Sequence, residues 1–552
     1  MQPSVSPNAE RGHDPPGTVL LQDLTSETDG NGEVLLQPQP TDDPNDPLNW
    51  KKWEKSLNFG LVLLYCLLMM AWMTASTPTW GPMNIELGFS YETLTNSYAV
   101  GSAGLAISAI PFIPLALKFG RRPIYLGSLI IAVPLNVWAA RISNVVDLFL
   151  FSLFNCALSA LAESIPPMTI ADVYFVHQRG SANSLYTWIS VMGISLATVA
   201  SGYISLDLGW RWVWWISAIM MGAVAIAFAF FYEDTKYAVH LQGTSPMSNL
   251  KKIDTESVPV DGDKKTDAEG QTATHGLWPV RSCGAEPLPP RKSYVQRLKL
   301  WTTSEDHAQT SWKFFWHPFV IMATFPAVSY TALVYAVSTS CYQVIVTVIS
   351  SVMLGPPYLL SSDKIGLLSG IPFLIGATVG GLVTGLVSDR FILWLARRNN
   401  GVYEPEMRLW LLLFLSPLMP AALLLFGYSL NNGRPWFLVG LGAVIFASGF
   451  APTLTLTLAY ITDAYTDVIA DSMVAITFAR NAVATAFIFA STPWIEAVGI
   501  DHVFLTLALV CVACIVPIIP LLIFGKRIRS HTAAKYKTYS GNQTESRPLN
   551  VS

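Results

Sequence analysis

The feature that most limits what this chain can fold into is a run of mostly apolar residues, roughly twenty long, that recurs twelve times. A helix needs about 20 such residues to cross the roughly 30 Å hydrocarbon layer of a bilayer. Inside that layer every backbone N–H and C=O must find its partner within the protein. The runs lie near 56–76, 95–117, 123–142, 147–172, 182–204 and 212–232, then near 317–342, 365–388, 407–428, 436–459, 472–494 and 502–524. Between the two sets lies a stretch too polar to enter lipid and too long for a turn. The expected fold class is an all-α membrane protein with twelve transmembrane helices in two six-helix bundles. Its parts are a disordered cytosolic tail over 1–49, an N-terminal bundle over 50–232, a cytosolic linker over 233–312, a C-terminal bundle over 313–525 and a cytosolic tail over 526–552. The apolar segment 343–358, which contains Gly355-Pro356-Pro357, reads as an outward extension of the seventh span.

Composition agrees with burial in lipid. Charged residues make up 13% of the chain, against roughly a quarter in a soluble protein. Eighteen tryptophans suit a protein with two membrane interfaces, where indole rings settle at headgroup depth. A net charge of −3 gives no basis for nucleic-acid binding. The polar segments hold no nucleotide motif or catalytic cluster, so an enzyme or an ATP-driven pump is disfavoured, and neither a cofactor nor a metal is expected. Cys511 and Cys514 form a C-x-x-C pair inside the last span, where two small packing residues outweigh a metal or redox site. The first 50 residues are rich in Pro, Asp and Gln and carry no cleavable signal, so the first span does the targeting.

Lys and Arg in short loops set orientation. Lys118, Arg121 and Arg122 follow the second span; Arg390, Arg397 and Arg398 follow the eighth; Lys526, Arg527 and Arg529 follow the twelfth. With alternating spans these fall on one face together with both termini and the linker. That face reads as the cytosol. The cell membrane is the expected location, with the vacuolar or another internal membrane left open. The expected partners are a small-molecule substrate, protons and the lipid bilayer, and the expected state is a monomer.

Two charges lie deep in spans. Glu163 sits in the fourth span, followed by Pro166 and Pro167. Each proline lacks an N–H and so frees the carbonyl four residues back, here Ala162 and Glu163. Ionisable groups in spans mark ion or substrate paths; the plainer alternative is a helix-to-helix hydrogen bond beside a proline kink. Arg480 is the second charge. It follows Asp471 by nine residues, and Glu163 precedes Asp172 by nine. At 1.5 Å per residue both sit ~13–14 Å from the same face. Equal depth permits a Glu163–Arg480 pair across the bundles that gates the cytosolic side; the alternative is that Arg480 bonds local carbonyls. Glu163 is the deep carboxyl available for proton coupling, since burial raises a carboxyl's proton affinity.

The halves echo each other after their second spans. The first reads Lys118-Phe-Gly120-Arg121-Arg122, the second Gly385-Leu-Val-Ser-Asp389-Arg390. A parallel six-plus-six repeat is the form of a two-bundle transporter. The motif reads either as a tie between helix ends in one state of a rocking motion or as simple basic anchoring. Gly376, Gly380, Gly381 and Gly385 on the eighth span read as a close-packing face, against which Gly193 and Gly202 of the fifth are expected to pack.

Further stretches narrow the kinship: Asp46-Pro-Leu-Asn-Trp50, Phe175-Val-His-Gln-Arg-Gly180, Gly209-Trp-Arg-Trp212 and Gly401-Val-Tyr-Glu-Pro-Glu406. With the twelve spans and two half-motifs, the chain from about 46 to 529 resembles the major facilitator superfamily and its fungal drug:proton antiporter branch. Glu163-x-x-Pro-Pro and Glu233-Asp-Thr-Lys-Tyr237 look closest to a subgroup that includes cation and polyamine carriers. The resemblance implies a major facilitator fold, a central cavity between bundles lined by the first, fourth, seventh and tenth helices, alternating access and coupling to the proton gradient. On those helices the candidate cavity-lining residues are Asn58, Thr74, Asn155, Tyr330, Tyr335, Thr453 and Tyr460. The chain departs from that pattern at three places. Leu117 and Ile113 stand where the first loop motif has Asp and Gly. The span-five proline is absent among Gly193, Ala197, Thr198, Ser201 and Gly202. No span-four arginine is present, and Glu163 is the charge there. The expected task is proton-coupled efflux of small amphipathic compounds such as a toxin, drug or secondary metabolite. Uptake of a cation or polyamine, and a non-transporting membrane sensor, are the alternatives.

Overall fold

The computed structural model describes residues 19–20, 45–235, 293–298, 313–399, 402–465 and 468–542. Most of the tail over 1–49 and of the linker over 233–312 therefore lies outside the described residues. Among those described the backbone is almost wholly α-helical, apart from one two-residue strand pair, Val19–Leu20 against Val402–Tyr403.

Among the described residues, eleven helices are long and apolar enough to cross a bilayer. In the first half they are Lys52–Leu87, Arg122–Ala139, Val145–Val173, Ser181–Asp207 and Trp210–Phe231. In the second they are Pro326–Val352, Ser362–Arg398, Met407–Asn431, Trp436–Ala464, Asp471–Val498 and Ile500–Tyr536. Tyr91–Phe119, a 29-residue helix between the first two, supplies the twelfth span and takes second place in chain order.

Local chemistry sets the boundaries. The Ser90 hydroxyl accepts from the Thr93 amide at 3.1 Å and starts the second span, a standard N-terminal cap. Left-handed Gly88, φ +70°, lies just before it, a conformation that costs other residues a Cβ clash. The seventh span is broken at Phe325, because Pro326 cannot donate to the preceding helix, Lys313–Thr324. Its helix runs on to Val352, through much of the segment read as an outward extension. The last helix, Ile518–Asn542, runs past residue 525. Arg529 on it is buried, donating to Glu406 Oε1 from Nε at 2.8 Å and to Glu406 Oε2 from Nη2 at 2.7 Å.

The apolar cores follow the halves. One joins buried side chains from Leu61 to Tyr232, with Ile488 the one member from the second half. Two more draw only on the second half, one about Phe426, Phe446 and Phe504 and one about Phe325, Leu409 and Tyr460.

Small residues let spans meet backbone to backbone. On the eighth span Gly376 faces Val444 O and Gly380 faces Ser448 O of the tenth. The expected partners, Gly193 and Gly202 of the fifth span, lie elsewhere. Gly193 packs on Leu67 O of the first span, and Gly202 on Ser362, Asp363 and Gly366 at the start of the eighth. The spacing alone did not distinguish which helix each small face meets. A methyl group on Gly376 would overlap the Val444 carbonyl, whereas one on Gly385 meets nothing within 4 Å. Gly376→Ala is expected to destabilise the folded protein by ~1–3 kcal/mol, the usual cost of overpacking, and to lower its thermal midpoint in detergent; Gly385→Ala leaves the midpoint unchanged.

Candidate functional site

The site starts from the break in the fourth span. The helix Val145–Ser164 stops and a short helix, Pro166–Val173, restarts beyond Ile165. The Ile165 amide still donates to Leu161 O at 3.1 Å. The next two positions are prolines, so the carbonyls of Ala162 and Glu163 lose their intrahelical donors. A residue of the fifth span replaces those donors. The Tyr186 hydroxyl donates to Ala162 O at 2.9 Å and lies 3.4 Å from Glu163 O. Cys66 Sγ of the first span lies 4.0 Å from the same Ala162 oxygen. Tyr186 is a residue that sequence reading missed. The two prolines announce that donors are needed, but nothing in the chain says which neighbouring helix brings one.

Beside this break the Glu163 carboxylate meets Arg480 of the eleventh span. Arg480 Nη2 donates to Glu163 Oε2 in an ion pair that bridges the two halves. The side chains are 16% and 21% exposed respectively, which is half-buried, and Arg480 Nε has no hydrogen-bond partner among the described residues. Two tyrosines stand close enough to feel both charges, Tyr186 from the first half and Tyr335 from the second. The Tyr335 hydroxyl donates to Leu454 O of the tenth span at 2.9 Å.

Away from the pair, toward the end that carries the 88–90, 208–209 and 353–361 connections, the halves close tightly. Tyr98 donates to Gln343 Oε1 at 2.5 Å and Ser102 to Asn481 O at 3.3 Å, joining the second span to the seventh and eleventh. The fifth and eighth spans meet through Gly202, Gly366 and Gly370, which lie against Ser362 O, Thr198 O and Ser195 O. Closer to the level of the pair, Trp188 Nε1 donates to Thr378 Oγ1 at 3.3 Å between the same two helices.

At the opposite end the charges work within each half. Gly120, φ +96°, lets the chain turn so that Asp234 Oδ1 accepts from the Arg121 amide at 3.0 Å and the Arg122 amide at 3.4 Å. Arg121 Nε pairs with Asp172 Oδ2 at 3.1 Å, and Arg122 Nη2 donates to Ala229 O at 2.7 Å. Together these tie the second, third, fourth and sixth spans. In the second-half motif Gly385 has open space beside it and Arg390 is exposed. The side chains of Lys118 and Asp389 lie outside the described residues.

The proposed cavity-lining residues scatter. Asn58 Nδ2 donates to Glu233 O at 3.0 Å and ties the first span to the end of the sixth. Asn155 Nδ2 donates to Trp72 O at 3.4 Å. Tyr460 is 1% exposed within the second-half core. Tyr330 and Thr453 line a small cavity inside the second half, with Ser338, Cys511 and Cys514. Of these candidates it is Tyr335 that stands beside the ion pair. Asn155 Oδ1, Trp72 Nε1 and Asn481 Nδ2 are buried without a hydrogen-bond partner among the described residues.

The family model of the Major Facilitator Superfamily matches residues 61–488. The chain belongs to the major facilitator superfamily. An MFS-type transporter of Schizosaccharomyces pombe, C1271.10c, named as uncharacterized, is 29% identical over 95% of this chain and 94% of its own length. The efflux pump radE of Floropilus chiversii is 25% identical over 95% of this chain and 92% of its own. Of solved structures, that of the nucleoside transporter NupG superposes with a TM-score of 0.53 at 12% identity, covering 84% of this chain and 99% of that one. The likeness to NupG shows the fold. As a major facilitator the protein is a multi-pass membrane transporter, and its two halves, closed at one end, bracket a charge pair at mid-depth.

The closed end rests on glycine-to-backbone contact, so bulk there opposes closure. A side chain at Gly366 would overlap Thr198 O. Gly366→Val is therefore expected to favour the state open at that end. A cysteine placed at Ser369, itself 3% exposed, would then react several-fold faster with a membrane-impermeant maleimide.

Proposed function

We propose that this major facilitator exports small amphipathic compounds in exchange for protons, with Glu163 as the proton site. The observation that carries the reading is the half-buried Glu163–Arg480 pair joining the two halves beside a broken helix. Taking one member from a buried pair strands the other charge, at a cost of about 3–5 kcal/mol. Opening between the halves at this level must therefore supply a new partner for each group. A proton on Glu163 removes one of the two charges and frees Arg480 to face the cavity, so protonation biases which end opens. Proton and substrate then use the site in alternation, the logic of an antiporter.

The apolar and aromatic surroundings suit an amphipathic molecule. Asn155, Trp72 and Asn481 leave buried polar atoms that a ligand or water would satisfy. The name of the relative radE as an efflux pump supports export. Arg480 already holds the place beside Glu163 that a cation taken up would need, and this favours export over cation uptake. The basic residues Arg390, Arg397, Arg398, Lys526, Arg527 and Arg529 support a cytosolic location of the termini by the rule of positive inner loops. The cell membrane and a monomeric state complete the reading. The two bundles are taken as residues 50–232 and 313–525, joined by the 233–312 linker.

Metabolite profiling of cells with and without the gene identifies the exported compound: loss of the gene raises its cellular content, and a fall instead assigns uptake. With that compound in proteoliposomes, Glu163→Gln is expected to reduce transport driven by a pH gradient to background while the protein reaches the membrane at its normal level. The single reversals Glu163→Arg and Arg480→Glu each abolish transport, and the double reversal restores part of it. Normal gradient-driven transport by Glu163→Gln removes Glu163 as the coupling site.

A further inference from the structure

We infer that the Tyr186 hydroxyl is a positioning group that sets the strength of the Glu163–Arg480 pair. The inference rests on the reading of Glu163 as the proton site. Three observations converge on it. Pro166 and Pro167 leave the carbonyls of Ala162 and Glu163 without helical donors, and Tyr186 is the oxygen donor that reaches both, at 2.9 and 3.4 Å. Arg480 Nε, which belongs to the same guanidinium that holds Glu163, is buried with no partner among the described residues. Tyr186 also lies within electrostatic reach of Glu163 and Arg480 alike.

These facts define a competition. A backbone carbonyl left bare at this depth seeks another donor, because an unsatisfied buried acceptor costs about 1–3 kcal/mol. The Arg480 guanidinium, already paired with the Glu163 carboxylate, has such a donor to spare in its Nε. While Tyr186 holds the two carbonyls, the guanidinium is left to the Glu163 carboxylate. Without the hydroxyl the carbonyls draw the guanidinium off, and the carboxylate loses part of its cationic partner. Tyr186 thus acts through Glu163 and Arg480 and needs no contact with substrate. Among the described residues, the other titratable groups around the pair and Tyr186 are Tyr335 of the seventh span and Cys156 on the fourth, both near Glu163, and Cys66 of the first, near Tyr186 and Ala162 O. The Tyr335 hydroxyl is committed to Leu454 O, and the Cys66 thiol is a weak donor at 4.0 Å, so neither substitutes for Tyr186.

The test needs no known substrate. Spin labels are attached through genetically encoded keto side chains at the exposed positions Ser181 and Arg397, and the label-to-label distance distribution is followed against pH in the full chain in nanodiscs. The wild-type distribution should titrate between two end states. In Tyr186→Phe the same two end states should persist, with the midpoint displaced by half a pH unit or more. A merely structural tyrosine would lower thermal stability or change the end states and leave the midpoint where it was; that result, or an unmoved midpoint with normal stability, overturns the inference. Glu163→Gln run alongside separates the two claims. A distribution that titrates normally in Glu163→Gln defeats the reading of Glu163 as the proton site. A pH-insensitive Glu163→Gln with an unmoved Tyr186→Phe midpoint defeats the role of Tyr186 alone.

Discussion

A carboxylate and a guanidinium face each other between the halves of this transporter, and much of the surrounding structure exists to make that pairing tolerable. Neither group can be left alone at such depth, because lipid and packed side chains stabilise an isolated charge poorly. The two prolines next to Glu163 add a second demand, since they strip donors from two carbonyls at the same level. Tyr186 answers the second demand and leaves Arg480 to answer the first. The fourth, fifth and eleventh spans are thus bound to one another by polar groups that each need what the other carries.

The closure of the molecule is chemically asymmetric. At one end the halves touch through glycines and small polar residues, backbone against backbone, at Gly202, Gly366 and Gly370 and through Tyr98 with Gln343. Contacts of that kind are short-ranged and carry no net charge, so they can part without stranding an ion. At the other end the strong electrostatic bonds lie inside each half, as in Arg121 with Asp172 and Arg408 with Asp463. They stiffen each half as a body without locking the two together. Rigid bodies joined by an uncharged seam and an ion pair between them are the elements of a rocking transition.

The periodic apolar runs made the twelve spans legible, because a bilayer demands length and hydrophobicity and little else. That Glu163 and Arg480 could meet was legible too, by counting residues from Asp172 and Asp471. Which helices approach one another was not. Helix faces in lipid are chosen by packing of small residues, and Gly193 and Gly376 look alike in sequence although one meets the first span and the other the tenth. Tyr186 escaped for the same reason, since its meaning depends on a neighbour 23 or 24 positions away in the chain. Asn58 and Tyr460 were singled out as polar or aromatic residues on cavity helices, but one ties the first span to Glu233 O and the other fills a core.

The internal repeat is clearer in the bonds than in the letters. The sequence echo pairs Gly120-Arg121-Arg122 with Gly385 and Asp389-Arg390; the first of these motifs is knotted into its half, while Gly385 has open space beside it. The structural echo lies one span further on. Arg121, at the start of the third span, holds Asp172 at the end of the fourth; Arg408, at the start of the ninth, holds Asp463 at the end of the tenth, at 2.5 Å. From those two aspartates the same count of nine residues leads back to Glu163 in one half and to Leu454 in the other. At both positions a tyrosine hydroxyl from another span reaches the backbone: Tyr186 at the Ala162 and Glu163 carbonyls, Tyr335 at the Leu454 carbonyl. The halves therefore share a scaffold of an arginine, an aspartate and a tyrosine-capped carbonyl at matched depth. They differ in the one side chain placed on it, a carboxylate in the first half and an aliphatic group in the second. That difference leaves Glu163 without a symmetry mate, and the cation it needs comes across the seam from Arg480 instead of from its own half.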